Sequence, residues 1–293
     1  TFLSYRPGRT RDPYDLPLCK HFDDCGWVVM QNRWDPKERV KMLFHCGPIF
    51  GHSVFEKARR YNFAHGLPGM AGVLVEYKGV RLICGSQGSY RKETRQLNCI
   101  TVDGQGQWGD GFVWMPKLGP EQVPHIPFYE DTHDYTIVRG DATRAYPPAL
   151  GLDKYIRTIA FCKPDLFLLH DHLESNTAET YEWRLHTNGE WTSLGDGLYR
   201  VEQRGAVFFV RDLLHADRVA RTGVCEIVPA YRFNGHYARE LCVEVAAAHP
   251  RTDLLFALSA DKGLLRGLAV KERDGTVCLQ TKPHGQVTLD RKS

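Results

Sequence analysis

Two strand-like stretches carry polar residues with the types and spacing of a small catalytic or metal site. His170 and His172 are two residues apart, so their side chains share one face of a strand, with Asp171 on the other. Two imidazoles on one face can begin a metal site. Glu182 and His186 alternate with apolar residues in a second stretch and could act in catalysis. Ordinary polar residues of a β-sheet are the alternative for both stretches, because most histidines are not ligands.

One glycine pattern has the spacing of a nucleotide-binding loop without its context. Gly104, Gly106 and Gly109 match G-x-G-x-x-G in the segment DGQGQWGDG. Such a loop has to end a strand and open a helix, and the residues after Gly109 do not begin a helix. The sequence also lacks a Walker loop, H-E-x-x-H and G-x-S-x-G. Nucleotide binding and these hydrolase classes are therefore not indicated.

Basic residues cluster at two places in a chain whose net charge is only +3. The clusters contain Lys57, Arg59 and Arg60, then Arg91, Lys92 and Arg95. They are either solvated loop charges or the lining of a cleft that attracts an anionic sugar chain. The low net charge does not indicate a nucleic-acid partner.

The nine cysteines are scattered and include no C-x-x-C pair, so neither a zinc ribbon nor a thioredoxin-type pair is predicted. Several lie in apolar, strand-like stretches, where buried free thiols are expected. No apolar run is long enough to span a membrane. Residues 1–15 are polar and lack the apolar core of a secretory signal.

The elements that would position these residues are many short strands. They are rich in Val, Ile, Phe and Tyr and are separated by turn signals such as Lys78-Gly79 and Asp103-Gly104. No long apolar stripe with helical period is present, so we predict a large all-β, antiparallel β-sandwich (supersandwich) with a few short helices. Residues 105–148 are predicted to be loop-rich. The predicted strands are Gly26–Gln31, Val40–Cys46, Val73–Tyr77, Val80–Cys84, Ile100–Val102, Tyr155–Phe161, Leu166–His170, Thr180–His186, Val207–Val210, Glu240–Val245, Leu254–Leu258 and Val277–Gln280.

Three stretches together resemble the C-terminal β domain of the heparinase II/III-like family. His21–Pro48 resembles the opening hairpin of that domain, which ends in a Gly-Pro turn. Tyr61–Gln107 resembles a segment of the form H-x-H-x-D, strand, Gly turn, D-x-G, H-N-T and V-D-G-x-x-Q. Lys154–Thr187 resembles its R-x-hydrophobic strand, K-P-D turn, D-x-hydrophobic strand and W-x-L-H. The resemblance implies residues 1–19 as a linker from a helical domain and residues 20–293 as the β-sandwich domain.

The resemblance also implies a chemistry. Members of this family are lyases that cleave uronic-acid polysaccharides, such as heparan sulfate or alginate, by β-elimination. A tyrosine and a histidine on a preceding helical toroid carry much of the catalysis, and stabilising the charge that develops after loss of the C5 proton is the main task. The β domain contributes a cleft histidine and a structural zinc held by His, Asp and His.

Most positions of the family's metal site carry other residues in this chain. The cleft histidine falls on Phe63, and the three ligand positions fall on His65, on Cys84 or Gly85, and on Leu97. The aspartate of H-x-H-x-D falls on Leu67. We therefore expect no zinc cofactor at this position, although Cys84, with His52 as a further ligand, could form a variant site.

Other motif positions are retained and supply the candidate site. The resemblance assigns catalysis to His65, Tyr90 and Asn98. Substrate binding is expected from Arg91, Lys92, Arg95, Gln105, Gln107 and Trp108. Two alternatives need no ligand: Asn98 closing a turn, and Asp103-Gly104 forming a hairpin. Phe112 and Trp114 join Trp108 as aromatics that either stack on sugars or anchor their loop over the core.

Three functions are open at this point. The first is a polysaccharide lyase domain whose partners are an acidic polysaccharide and the helical toroid of the same protein, in the periplasm or secreted. The second is a catalytically degenerate glycan-binding or scaffold module. The third is a sugar epimerase that uses His170, His172 and His186. Fold alone does not separate them.

Overall fold

The strands of the computed structural model account for about half of the described residues. The structure describes residues 13–48, 50–57, 66–85, 92–177, 180–225, 239–246, 250–273, 276–281 and 285–290. The strands are β1 Cys19–Phe22, β2 Trp27–Gln31, β3 Val40–His45, β4 Gly72–Tyr77, β5 Val80–Ile83, β6 Ile100–Val102, β7 His125–Asp131, β8 Tyr135–Asp141, β9 Leu152–Cys162, β10 Leu166–Ser175, β11 Thr180–Thr187, β12 Glu190–Ser193, β13 Leu198–Gln203, β14 Ala206–Asp212, β15 Val219–Val224, β16 Arg239–Ala246, β17 Arg251–Ser259, β18 Ala269–Arg273, β19 Thr276–Thr281 and β20 Gly285–Asp290.

Helices in the described residues are short. The α-helices are α1 His52–Lys57 and α2 Lys262–Arg266. The single-turn 3-10 helices are Pro13–Asp15, Thr94–Gln96, Pro120–Gln122, Thr143–Ala145, Pro148–Leu150 and His215–Asp217. Neither α-helix is long and apolar enough to cross a membrane, and the same holds for the rest of the described chain.

The strands form four antiparallel sheets. A five-stranded sheet has the order β1-β2-β3-β4-β5, and an eight-stranded sheet has the order β12-β13-β14-β17-β10-β9-β8-β7. A four-stranded sheet has the order β15-β16-β11-β6, and β18-β19-β20 form a separate meander. One buried cluster takes side chains from the first three sheets, including Phe44, Phe256 and Trp183. The prediction of an all-β antiparallel sandwich is confirmed.

The central strand β10 is covered on both faces. Phe167, Leu169 and Leu173 point into the large core. Leu166 and Leu168 point to a second cluster, which α2 closes from the other side. A strand with both faces covered carries apolar residues at successive positions, as residues 166–169 do here, in contrast to the alternating pattern of a one-sided strand. On this register Asp171 faces the large core, while His170 and His172 face the other side.

The sequence prediction of a loop-rich stretch at residues 105–148 is wrong in part. This stretch contains β7 and β8, which extend the eight-stranded sheet to its edge. In β8 the buried face consists of Thr136, Val138 and Gly140. Because two of these three residues are not apolar, the alternation that usually predicts a half-buried strand is weak.

Candidate functional site

Asn98 joins two sheets through its side chain. Its Nδ2 donates to the carbonyl oxygen of Val73 in β4 at 2.7 Å. Its Oδ1 accepts from the backbone N–H of His186 in β11 at 2.8 Å and lies 3.0 Å from Nδ1 of the same residue. The side chain is buried, and both polar ends are used by the protein. The structure therefore gives Asn98 a positioning role for His186.

The hydrogen bonds of Asn98 also fix which nitrogen of His186 carries the hydrogen. The Val73 carbonyl only accepts, so the NH₂ group of Asn98 points to it and the oxygen points to the imidazole. Nδ1 of His186 is then the donor, and Nε2 is left with a lone pair. Burial lowers the pKa of His186, which favours this neutral form.

Charged residues alternate along one face of β11 and β16. Arg184 contacts Glu182 at 2.7 Å and Glu240 at 3.4 Å. Arg221, on β15, contacts Glu182 at 2.9 Å. Burial opposes the ionisation of Glu182, but the nearby Arg184 and Arg221 guanidinium groups outweigh it and hold the pKa at about 2. This face is a network of paired charges rather than a set of free ones.

A polar cavity opens beside this network. It has a volume of about 320 Å³ and is lined by Arg95, Arg184, Arg221, Thr222, Gly223, Val224, Cys225 and Glu240. Two of these lining residues, Cys225 and Glu240, lie close to His186, and one potential metal-ligand atom of each of the three is within 4.8 Å of the others. Burial raises the pKa of the Cys225 thiol to about 12. The sequence analysis did not single out Cys225 or Glu240 for chemistry.

Leu97 occupies a position where the family resemblance places a metal ligand. A Cβ atom built on Gly69 would lie 2.5 Å from its Cδ1, and one built on Gly85 would lie 2.8 Å from its Cδ2. Leu97 therefore packs closely against two glycines and offers no donor atom there. Cys84 is half-buried, its thiol pKa is raised by burial, and its backbone N–H donates to the carbonyl of His186 at 3.0 Å.

The two glutamines expected to bind substrate have different environments. Gln107 is buried, and its side chain accepts from the N–H of Met70 at 2.7 Å and donates to the Met70 carbonyl at 2.8 Å. It thus pairs with a backbone peptide as a strand residue would. Gln105 is exposed and closes a hairpin turn, with backbone bonds of 2.8 and 2.9 Å to Val102. The Asp103-Gly104 hairpin predicted as an alternative is present, since both residues have positive φ.

An aromatic and basic surface follows this hairpin. Phe112 is 56% exposed and Trp114 is 51% exposed, whereas Trp108 is partly buried. Lys92 pairs with Phe112 through the backbone, and its Nζ lies 5.6 Å from the centre of the Trp114 ring. Exposed rings next to an ammonium group form a surface on which a sugar ring and its carboxylate can be held together. We call Lys92, Phe112 and Trp114 the aromatic surface.

The remaining basic residue of this segment, Arg95, lies elsewhere. Its Nε donates to Glu93 at 2.8 Å, and its side chain lines the polar cavity. Lys92 and Arg95 therefore serve two different surfaces. His65, Tyr90 and Arg91, as well as Phe63, lie outside the described residues.

His170 and His172 share one carboxylate on the face of β10 opposite the large core. Nε2 of His170 donates to Oδ1 of Asp253 at 2.8 Å, and Nδ1 of His172 donates to the same atom at 3.0 Å. Nε2 of His172 donates to Glu174 at 2.9 Å. The hydrogen bond to Asp253 is the main cause of a raised pKa of His172, although burial opposes it. The pair is on one face of the strand, as the spacing predicted.

A buried ion pair fixes the segments around Asn98 to the large sheet. Arg157 on β9 and Asp171 on β10 form two hydrogen bonds of 2.6 Å, and neither side chain is exposed by more than 1%. Arg157 also donates to the carbonyl oxygens of Ala71 and Asn98. The position of Asn98, and through it of His186, therefore depends on this ion pair.

Comparison with known proteins identifies the family. The sequence profile described as heparinase II/III-like, C-terminal, matches residues 15–249. The chain belongs to this family. No curated protein sequence matches the chain.

Solved structures share the fold of this heparinase II/III-like domain. The heparan sulfate lyase HepC from Pedobacter heparinus superposes with a TM-score of 0.68 at 12% identity, over 93% of this chain and 42% of that one. A crystal structure of heparinase III gives a TM-score of 0.65 at 13% identity, over 92% and 42% of the two chains. At such identities the similarity shows the fold alone. The chain spans about two fifths of the length of these proteins.

Proposed function

We propose that this chain is the sugar-binding β domain of a lyase that cleaves a uronic-acid polysaccharide by β-elimination. The observation that carries the proposal is the family match over residues 15–249. In this reaction a base removes the proton at C5, the C4–O bond breaks, and the leaving oxygen takes a proton. The product has a C4–C5 double bond. Much of the catalysis is carried, in this proposal, by a tyrosine and a histidine on a helical domain of the same protein.

The aromatic surface supports an acidic carbohydrate as the substrate. Trp114 and Phe112 present exposed faces to a sugar ring, and Lys92 supplies a positive charge next to them. Such attraction weakens with salt. Arg91, Arg95, Gln105 and Trp108 remain proposed contributors to substrate binding, with Arg95 acting from the polar cavity.

His65 and Tyr90 remain proposed catalytic residues of this domain, and Asn98 contributes by orienting His186. Gln107 contributes by holding the Met70 peptide in place next to the same segment. We also propose that the family's zinc position is unused here, since Leu67 and Leu97 offer no ligand atoms. A periplasmic or secreted location is proposed with the lyase function, because the polysaccharide is outside the cell.

The test is a lyase assay with a binding arm. The longest available polypeptide that contains this chain is incubated with alginate, heparin and a neutral glucan, and ultraviolet absorbance reports the unsaturated product. We expect product from an acidic polysaccharide and none from the glucan. In parallel, Trp114→Ala and the pair Arg91→Ala with Arg95→Ala should weaken binding of the acidic polymers. Equal affinity for the glucan, insensitive to salt, contradicts the proposed substrate.

A catalytically degenerate glycan-binding module is the second candidate. The packing of Leu97 against Gly69 and Gly85 favours it, because an apolar contact occupies a position that the family uses for a metal. This function predicts salt-sensitive binding of acidic polysaccharide without any unsaturated product, even from the longest polypeptide.

A further inference from the structure

Three side chains from neighbouring segments converge beside the polar cavity. His186 on β11 and Glu240 on β16 are direct cross-strand partners in the antiparallel register. Cys225 directly follows β15, the strand next to β16. One nitrogen, one sulfur and one oxygen atom therefore meet within 4.8 Å of one another. None of these residues is at a position where the family resemblance places its metal.

The imidazole of His186 has an unused, buried lone pair that points to this cluster. His186 is completely buried, and its Nε2 makes no hydrogen bond. The nearest carboxylate oxygen, Oε2 of Glu240, is 3.6 Å away. Asn98 fixes the hydrogen on Nδ1, as a hydrogen-bond acceptor does for a histidine that binds a metal through its other nitrogen. A buried acceptor without a donor is unfavourable unless something else occupies it.

We propose that His186, Cys225 and Glu240 bind a zinc ion through Nε2, Sγ and a carboxylate oxygen. Zinc binds histidine and carboxylate at about 2.0–2.2 Å in a tetrahedron, so two such ligand atoms are roughly 3.3–3.6 Å apart. The observed separation of 3.6 Å between Nε2 and Oε2 matches this edge. Nitrogen, sulfur and oxygen donors together suit zinc better than calcium or magnesium.

The cavity supplies the fourth position of the tetrahedron. Its lining also includes Arg95, Arg184 and Arg221. Each arginine already has a carboxylate partner at 2.7–2.9 Å, Glu93 for Arg95 and Glu182 for the other two. These three guanidinium groups are therefore already paired and do not form a site for a free anion. A water molecule or a small anion bound to the metal would fit in the cavity. Three protein ligands with an open fourth position are typical of catalytic rather than structural zinc.

The first experiment uses the unmodified 293-residue chain. After removal of metals with a chelator, Zn²⁺ is titrated in competition with a chromogenic chelator, and Co²⁺ is bound as a spectroscopic probe. We expect one Zn²⁺ per chain and a near-ultraviolet band from charge transfer between thiolate and Co²⁺. X-ray absorption of the zinc form should show one sulfur ligand at about 2.3 Å and the remaining ligands at about 2.0–2.2 Å. Absence of stoichiometric binding, or a cobalt spectrum without the thiolate band, overturns the proposal.

The second experiment locates the site. Cys225→Ser should remove the thiolate band and weaken Zn²⁺ binding at least tenfold, and Glu240→Gln should weaken binding while the band is retained. Cys84→Ser is the matched control, because Cys84 is a free cysteine at a position of the family's metal site, and it should change neither readout. Circular dichroism checks that each variant folds. If Cys225→Ser does not fold, Glu240→Gln alone tests the location of the site. Loss of the band in Cys84→Ser with retention in Cys225→Ser overturns the proposal.

Discussion

The Arg157–Asp171 ion pair should be among the most costly interactions of this domain to break. Asp171→Ala leaves a guanidinium group that is completely buried, with the carbonyls of Ala71 and Asn98 as its remaining hydrogen-bond partners among the described residues. Two hydrogen bonds between charged groups are lost, each contributing about 1.5–3 kcal/mol. Removing one partner of a buried pair costs about 3–5 kcal/mol in general. We therefore expect the free energy of unfolding to fall by about 3–5 kcal/mol.

Chemical denaturation followed by tryptophan fluorescence measures this loss, and two variants make the result specific. Lys163→Ala breaks an ion pair with Asp131 that is partly exposed to solvent and should cost only about 0–1 kcal/mol. The double variant Arg157→Met with Asp171→Leu removes both charges and should cost less than Asp171→Ala alone. The reasoning is refuted if Asp171→Ala costs no more than Lys163→Ala.

Three further outcomes are expected. Since the hydrogen bond to Asp253 raises the pKa of His172 above its unfolded value of about 6.5, His172→Gln should cost more stability below about pH 6 than at alkaline pH, where the imidazole is neutral in both states; a cost independent of pH in denaturation curves contradicts this. Gln107→Met leaves the Met70 peptide without partners and should cost about 1–3 kcal/mol by the same measurement, whereas a cost near zero argues against the buried pairing. Trp114→Ala should weaken acidic-polysaccharide binding by about 0.5–1.5 kcal/mol in calorimetry, with unchanged stability.

The strand positions could be predicted because local patterns agree with the tertiary fold. In β3 the buried residues alternate strictly, and the Lys78-Gly79 and Asp103-Gly104 turns have the positive φ values that their sequences favour. Strand β8 was missed because Thr136 and Gly140 face the core in place of apolar residues. The fold class follows from many consistent signals, so strands that were not predicted, such as β7, β8 and β13, do not change it.

The candidate site was less predictable, since it depends on pairings between distant residues. The segment around Asn98 follows from the family resemblance, and His186 from its own strand pattern. That Asn98 orients His186 follows only from the placement of Asn98 between β4 and β11, which no local pattern contains. Cys225 and Glu240 lack any motif. They meet His186 because β16 lies between β11 and β15. No local sequence pattern predicts this strand order.

Strand β15 lies at the edge of its sheet and is expected to open more easily than the central strands. All of its side chains from Val219 to Val224 are exposed, so it is held to the domain mainly by its backbone ladder with β16. A strand with so few buried contacts opens at a free energy well below that of global unfolding. Its amide hydrogens should therefore exchange with solvent earlier than those of β10. Because Cys225 follows this strand directly, a ligand bound to that thiol would slow the hydrogen exchange of β15. Ligand binding in the cavity would then make this edge strand more ordered.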